Sequence, residues 1–404
     1  MPQRDVLSRL LFVSPTYPDI QGNGLAMRAG MFIEALAQQH RVSLLVIPLF
    51  GERTPSSDAF IREHCAQEFV IQHRVGQGLW VRARGRFDKG PPLMRFFANQ
   101  VAGAARALAE ADFEVIHAFR LYTAPLAIAL AKRASNGRRP QLHLDVDDIE
   151  SRTHARLAGL YRLNSRLSSA EAEAREATQY LKAERRLVPR FDRVYVCTQG
   201  DADRLESVAG EVRIMPNAIR PPVALLRRQT SHPYTLLFVG TLGYYPNEDA
   251  VRYFCGSILP LIRQEAARPF LVRAVGRGMP ADFGALARIP ELRLVGEVED
   301  LDLEYAEADA VIVPIRAGGG TRIKVLEAFA HARPVVSTAI GMEGIDAEPG
   351  REFLLGDAAE AFAAQCLRLM ADADLASDLS RQASSLLNER YSQQRINRFV
   401  AEWS

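Results

Sequence analysis

Pro314-Ile-Arg-Ala-Gly-Gly-Gly-Thr-Arg-Ile-Lys-Val-Leu-Glu-Ala-Phe-Ala330 is the stretch on which the reading of this chain turns. An apolar run over 310–314 reads as a buried strand. Three glycines follow, and helical spacing begins near Thr321 and runs to residue 332. Gly318, Gly319 and Gly320 let backbone N–H groups approach a ligand with no side chain between them. The first turn of a helix adds unpaired N–H groups and the positive end of a dipole. Together they predict an anion site suited to a diphosphate. Arg322 and Lys324 add positive charge at its mouth. Glu327, about one turn beyond Lys324, can accept hydrogen bonds from ribose hydroxyls.

The pattern around this stretch is strand, loop, helix, strand. Leu236-Leu-Phe-Val-Gly240 reads as the strand that opens it, followed by a helix over 247–263 and strands over 270–275, 292–295, 310–314 and 334–337. The same pattern occurs earlier. Leu10-Leu-Phe-Val-Ser14 is an unbroken apolar run, as in a strand buried on both faces of a parallel sheet. A loop with Gly22 and Gly24, a helix over 26–39 and a strand over 42–47 follow. Further strands are expected over 69–71, 115–117, 141–145 and 193–197. Two successive patterns of this kind predict an α/β protein with two doubly wound, Rossmann-like parallel sheets. Met215-Pro-Asn-Ala-Ile-Arg-Pro-Pro222 breaks regular structure between them. The expected division is therefore 1–217 and 218–385, with a C-terminal segment 386–404.

Composition bounds the function. The chain has 404 residues, 48% hydrophobic and 24% charged, with a net charge of +2. Such a length suits two domains with sizeable cores. The balanced charge argues against disorder and against a dedicated nucleic-acid binder. Only four of the 50 basic residues are lysines (89, 132, 182 and 324), which makes a lysine inside a motif conspicuous. Cys65, Cys197, Cys255 and Cys366 are too far apart in sequence for a Cys-x-x-Cys clamp and read as small buried apolar residues. The apolar run near the start is too short for a signal peptide, and no stretch approaches a membrane span. The expected compartment is cytosolic. Residues 165–187 read as one long exposed helix. Residues 74–95 mix six basic residues with Leu79, Trp80, Val81 and Phe87, a composition suited to an anionic membrane face.

Gly-Gly-Gly-Thr-Arg-Ile-Lys-Val-Leu-Glu-Ala, with Arg333-Pro-Val-Val-Ser-Thr338 and Gly341-Met-Glu-Gly344, resembles the C-terminal half of the retaining glycosyltransferases of family four, which have the GT-B fold. Phe238-Val-Gly-Thr-Leu-Gly-Tyr-Tyr-Pro-Asn-Glu-Asp249 is similar to the opening of that family's second domain. Ala274-Val-Gly-Arg-Gly278, Leu294-Val-Gly-Glu-Val-Glu-Asp300 and Met215-Pro-Asn217 are similar to its next loop, its nucleobase loop and its linker. In the first half, Ser14-Pro-Thr-Tyr-Pro18 with Gly22 and Gly24, Val115-Ile-His117, and Phe191-Asp-Arg-Val-Tyr-Val196 also match. The resemblance covers nearly the whole chain and is strongest over 235–356.

That resemblance implies two domains facing a cleft, with the last helix crossing back onto the first domain through Tyr391, Ile396, Phe399, Val400 and Trp403. It implies a UDP- or GDP-sugar donor on the second domain and a glycan or lipid-linked acceptor on the first. Transfer would retain configuration, by front-face attack with the leaving phosphate as base and no metal. The donor-binding residues it assigns are Gly22, Gly24, Gly240, Thr241, Arg277, Val298, Gly318, Gly319, Gly320, Thr321 and Glu327. His117 would face the donor sugar. The acceptor surface is the weaker part, with Asp147 and Asp148 as candidates for lining it.

The chain also departs from the family. Many relatives carry a Glu eight positions before the second one, where this chain has Gly319. Many place Arg and Lys just after the first strand of the second domain, where this chain reads Gly240-Thr-Leu-Gly-Tyr-Tyr-Pro-Asn247, with no cation. Arg322 and Lys324 are expected to supply that charge in catalysis, with help from Arg277. Asp145-Val-Asp-Asp148 resembles a metal-binding Asp-x-Asp, but it follows a first-domain strand, away from the expected diphosphate; capping the next helix is the simpler role. Gly22-x-Gly24 lacks the third glycine of a nicotinamide fingerprint, because residue 27 is Met. Two other functions remain open: a sugar-nucleotide epimerase, and a degenerate nucleotide-binding scaffold in glycan assembly. If Lys324 neutralises the leaving group, Lys324→Ala lowers turnover by about tenfold or more with folding intact. Steady-state turnover, alongside a thermal melt of the same sample, checks this.

Overall fold

The computed structural model describes residues 7–72, 90–109, 111–133, 138–222 and 233–402. The unbroken apolar runs become strands of two parallel sheets, covered on both faces by helices. Contacts divide the chain into two compact units. One contains Met1–Ala158, Arg166–Ala218 and Gln393–Ser404; the other contains Gly159–Ser165 and Ile219–Ser392.

The first unit's strands are β1 (Ser8–Ser14), β2 (His40–Val46), β3 (Gln67–Val70), β4 (Val115–Phe119), β5 (Gln141–Asp147), β6 (Arg193–Val196) and β7 (Val212–Ile214). Their order is β3-β2-β1-β4-β5-β6-β7. β1 is central and Leu10 to Val13 are wholly buried. The second unit's strands are β8 (Tyr234–Val239), β9 (Phe270–Val275), β10 (Leu292–Gly296), β11 (Ala310–Val313), β12 (Val335–Ser337) and β13 (Leu354–Leu355). Their order is β10-β9-β8-β11-β12-β13. Each sheet is laid down outward from its first strand and then restarts on that strand's other side. At such a switch point the crossovers leave on opposite faces, and a crevice opens at the carboxyl ends. In the second unit, β8 and β11 are the neighbours at that point, in parallel register with Ala310 opposite Leu236. The loop after β8 therefore lies beside the loop that carries the three glycines.

Two helices differ from their expected form. The helix expected over 247–263 is a helix over Tyr245–Tyr253, a π turn over Phe254–Ile258 and a helix over Leu259–Glu265. Pro260 lacks an N–H and its ring crowds the preceding turn, so regular helix cannot run through it. The long helix, Leu167–Leu187, is not exposed all round: Tyr180, Ala183, Glu184 and Leu187 are buried. These lie at helical spacing on one face, a stripe that a reading of composition alone passes over. The two edge strands β7 and β13, of three and two residues, are too short to announce themselves. Of the basic segment 74–95, residues 74–89 lie outside the described residues. Among the described residues no helix is long and apolar enough to cross a membrane. Cys197, Cys255 and Cys366 are buried and unpaired in disulfides, while Cys65 is half-buried.

The helix Gly24–Ala37 starts on Asn23, whose side chain accepts from the Ala26 N–H at 2.9 Å. One turn in, Arg28 is 1% exposed. Its guanidinium donates to both oxygens of Asp145 at 2.8 and 2.7 Å, to the Met215 carbonyl at 3.0 Å and to the Asn217 side chain at 3.1 Å. One buried charge thus ties the helix, β5 and the segment at 215–217. The last helix, Gln393–Ala401, lies on the same helix, with Ile396 and Val400 in one core with Met31, Phe32 and Ala35. Gln393 donates to the Met31 carbonyl at 3.1 Å. Tyr391, expected to anchor this helix, remains in the second unit, where its hydroxyl accepts from the Asp346 N–H at 2.7 Å. Removing one partner of a buried ion pair leaves the other uncompensated. Arg28→Met is therefore expected to lower unfolding free energy by about 3 kcal/mol or more. Urea unfolding of the variant against the parent checks this.

Candidate functional site

In the second unit, β11 ends at Val313 and the chain turns into the glycine loop. Gly318 has φ +127°, a conformation that side chains rarely adopt. The helix that follows is Ile323–Ala330, two residues later than its expected start. Arg322 occupies the N-cap, and its side chain offers no acceptor to the helix N–H groups. Instead its Nη1 folds back to donate to the carbonyls of Gly319 and, at 3.3 Å, Gly320. The Thr321 hydroxyl is buried with no hydrogen-bond partner among the described residues. A buried hydroxyl of that kind can donate to or accept from a polar ligand atom.

Lys324 points from the helix toward the loop after β8. Its ammonium donates to the Asn247 side-chain oxygen at 2.8 Å and sits 4.4 Å from the centre of the Phe238 ring. Burial, with Arg322 nearby, pulls the Lys324 amine down to about 7, while Glu327 works in the opposite direction. Gly240 is the residue that leaves room for it: a Cβ there would lie 2.7 Å from the Lys324 Nζ. Gly276, after β9, has φ +150°, and a Cβ there would collide with the Gly240 carbonyl oxygen. The cation that the 240–247 loop lacks in sequence is thus delivered to it in space by Lys324.

Glu327 accepts from the Tyr305 hydroxyl at 2.8 Å. Burial raises its carboxyl above the usual carboxylate range, and the Tyr305 hydrogen bond and Lys324 oppose that rise. Tyr305 is held well above its ordinary value by burial and by Glu327, so it remains the donor. The His331 ring stacks on Tyr305 at 4.7 Å, and its Nε2 lies 3.2 Å from Asp302. Just before the glycines, Arg316 makes two hydrogen bonds to Asp249, at 2.9 and 2.6 Å. Asn164 donates to the same carboxylate, and Tyr161 stacks on Tyr245 at 4.0 Å. Thr241 and Arg277 are exposed, and Val298 is half-buried in the loop after β10. The Arg277 carbonyl accepts from the Leu242 N–H at 2.8 Å, which binds the loops after β8 and β9 together. The structure therefore brings Lys324 to Gly240 and Arg322 to Gly319 and Gly320, while Glu327 is bonded to Tyr305; Val298 lies in the loop after β10.

In the first unit, Gly22 and Gly24 lie at the start of the helix Gly24–Ala37, Gly22 with φ +98°. His117 departs from expectation. It sits in mid-strand, paired with Phe12 and His143, two residues short of the end of β4. It is 0% exposed, stacked on Phe12 at 4.8 Å and packed against Phe32 and Tyr195. Neither ring nitrogen has a hydrogen-bond partner among the described residues, and burial keeps its pKa well below the ordinary value, so the ring is neutral. It faces the core rather than an open surface; its place was read from the motif, and a strand's alternation decides which side a residue takes.

Asp147 is the last residue of β5 and Asp148 follows it. Both lie at the guanidinium of Arg120, at 2.6 and 3.5 Å, which also reaches Glu150 at 2.6 Å. Arg120 has φ +73° and Asp147 has φ +55°. The Asp-x-Asp carboxylates are thus matched by Arg28 and Arg120. Among the described residues no group of three or more His, Cys, Asp or Glu side chains has the geometry to hold a metal. Arg28, Arg120 and Asn247 were not singled out in the sequence. The first two carry no local signal in an Arg-rich chain. Asn247 stood in a stretch read for its family likeness and for the cation it lacks, and its own side chain was given no role.

A family model described as "Glycosyl transferase 4-like domain" matches residues 23–218, and one described as "Glycosyl transferases group 1" matches residues 233–372. No curated protein matches in sequence. Among solved structures, sucrose-phosphate synthase from Thermosynechococcus elongatus is similar with a TM-score of 0.70 at 17% identity, covering 98% of each chain. HepE of Anabaena, in complex with UDP and glucose, has a TM-score of 0.64 at 14% identity, covering 98% of this chain and 99% of its own. WaaG, a glycosyltransferase involved in lipopolysaccharide biosynthesis, has 0.61 at 17%, covering 97% and 99%. At these identities the likeness is one of fold.

The Gly276 contact makes a direct test. Gly276→Ala forces a side chain into a strained φ and against the Gly240 carbonyl, and is expected to destabilise by about 2 kcal/mol. Gly256→Ala, where an added Cβ meets nothing within 4 Å, is the control and is expected not to destabilise. Denaturant midpoints of the two variants decide it.

Proposed function

Because the chain belongs to the family-four-like glycosyltransferases of GT-B fold, we propose that it moves a sugar from a UDP- or GDP-sugar to a glycan or lipid-linked acceptor, with retention of configuration and without a metal. The observation that carries this reading is the Lys324 ammonium, from the first turn of the helix Ile323–Ala330 that follows the glycine loop, set beside Gly240.

The donor's diphosphate would lie on the N–H groups of the loop and the first helical turn, as anions do at helix N-termini. Lys324 and Arg322 would carry the charge that develops as the bond from the anomeric carbon to the diphosphate oxygen breaks. That is the work a divalent ion does elsewhere, and two cations with a helix dipole can do it here. The acceptor hydroxyl attacks from the same face and gives its proton to a leaving phosphate oxygen, so configuration is retained. Glu327, with one oxygen held by Tyr305, would take the ribose hydroxyls on the other. The buried Thr321 hydroxyl would meet a phosphate or sugar oxygen. The compartment proposed is the cytoplasm, where such donors are made.

One pair of observations favours a second reading, a nucleotide-binding scaffold without turnover. His117 faces the core, and Gly319 stands where many relatives carry a Glu. Product formation from a bound donor separates the two.

Thermal stabilisation by UDP, GDP, ADP and their sugars, first without metal and then with it, tests the donor site. A ligand at about 100 times its dissociation constant stabilises by about 2.7 kcal/mol. A shift with one nucleotide family that disappears in Glu327→Ala supports the site. An unchanged melt with every nucleotide overturns it.

A further inference from the structure

Lys324 is held by a group that orients it without cancelling its charge. The Asn247 amide nitrogen donates to the Thr241 carbonyl at 2.9 Å, so its oxygen must face Lys324, which it meets at 2.8 Å. An amide has one accepting and one donating end, and here the neighbours fix which is which. Asn247 is 9% exposed and lies in the first turn of the helix Tyr245–Tyr253. That helix is tied to the glycine segment twice, by Asn247 to Lys324 and by Asp249 to Arg316. A Cβ on Gly240 would lie 2.7 Å from the Lys324 Nζ and 2.8 Å from the Asn247 Nδ2, so the pair occupies the space that a side chain at 240 would fill. Beneath lies the Phe238 ring.

The charged and titratable groups around Lys324 are few. Arg322, from the loop, repels it. Glu327, one turn along its own helix, attracts it but is engaged by Tyr305, whose hydroxyl also lies 3.3 Å from the Lys324 carbonyl. Phe238 from β8 and Asn247 from the facing helix are neutral. No carboxylate is bonded to the ammonium among the described residues.

We propose that Asn247 is a positioning residue that presents Lys324 to the donor diphosphate as an uncompensated cation. This rests on the donor-site reading above and adds the residue on which its charge depends. A carboxylate at 247 would hold the amine more tightly and neutralise it; an apolar residue would leave it unaimed. The neutral amide does neither. Burial pulls the Lys324 amine down to about 7, and an arriving diphosphate favours its charged form. Donor affinity therefore falls as pH rises through about 7.

Two measurements test this. The first needs no ligand. The four lysines make Lys324 assignable by peptide mass spectrometry, so the pH dependence of its acylation by a small reagent gives its titration midpoint. Relative to the parent, Asn247→Asp is expected to raise the midpoint by about one pH unit or more, and Asn247→Ala to lower it. The same midpoint in all three proteins overturns the proposal, whatever the nucleotide result. The second is calorimetric binding of UDP-glucose and GDP-mannose, whose diphosphate diesters do not titrate in this range. Parent affinity is expected to be about fivefold or more higher at about pH 6 than at about pH 9. Asn247→Asp is expected to bind about tenfold more weakly at the lower pH although its lysine is charged. Parent-like affinity in Asn247→Asp overturns the claim that the amide's neutrality matters. If the parent binds neither sugar nucleotide, the donor-site reading fails, and the acylation midpoints still decide whether Asn247 holds the ammonium.

Discussion

At the carboxyl ends of β8 and β9 two stretches of backbone approach so closely that no side chain fits between them, and the Lys324 ammonium lies against the first of them. A Cβ on Gly276 would meet the Gly240 carbonyl, and a Cβ on Gly240 would meet the Lys324 Nζ. Parallel pairing of β8 with both β9 and β11 fixes this convergence, because the three strands end side by side. Glycine at these turns is therefore a geometric requirement of the sheet, and the room it leaves is what the lysine occupies. The rest of the candidate site is arranged on that space, with the Phe238 ring and the Asn247 amide against the ammonium.

The two units handle buried charge in opposite ways. In the first, Arg28 and Arg120 are each matched by carboxylates, Asp145 for one and Asp147, Asp148 and Glu150 for the other. Such clusters pair opposite charges internally and lock elements together. They leave little field for a ligand to exploit. In the second, Lys324 faces a neutral amide and a repelling Arg322. Burial lowers its affinity for a proton, and an incoming anion restores it. Internal balance suits a scaffold and imbalance suits a binding site, and the chain uses each where the sheet topology places it.

Much of this was legible in the sequence because it is local. Buried parallel strands are unbroken apolar runs, so Leu10–Val13 and Leu236–Val239 declared two doubly wound sheets. The glycine loop with Lys324 and Glu327 was legible because the motif is contiguous. What was hidden depends on pairing at a distance. Arg28 meets Asp145 across 117 residues and Lys324 meets Asn247 across 77. No local pattern announces such partners. His117 was read through its motif, whereas its orientation follows from register: two further residues complete β4, and its ring falls on the face covered by Phe32. The break at the π turn was signalled by Pro260, which composition-level reading passed over.

The packing of Gln393–Ala401 onto Gly24–Ala37 gives the first unit a core built from the two far ends of the described chain. During synthesis, β1 to β7 emerge long before Ile396 and Val400 do. Until then Met31, Phe32 and Ala35 lack part of their apolar cover. Non-local closure of this kind slows folding and keeps an incomplete domain exposed to aggregation or chaperone capture. The second unit, whose sheet lies within Tyr234–Leu355, can form while the first is still waiting. The second unit can therefore close its core before the first does, although the first begins earlier.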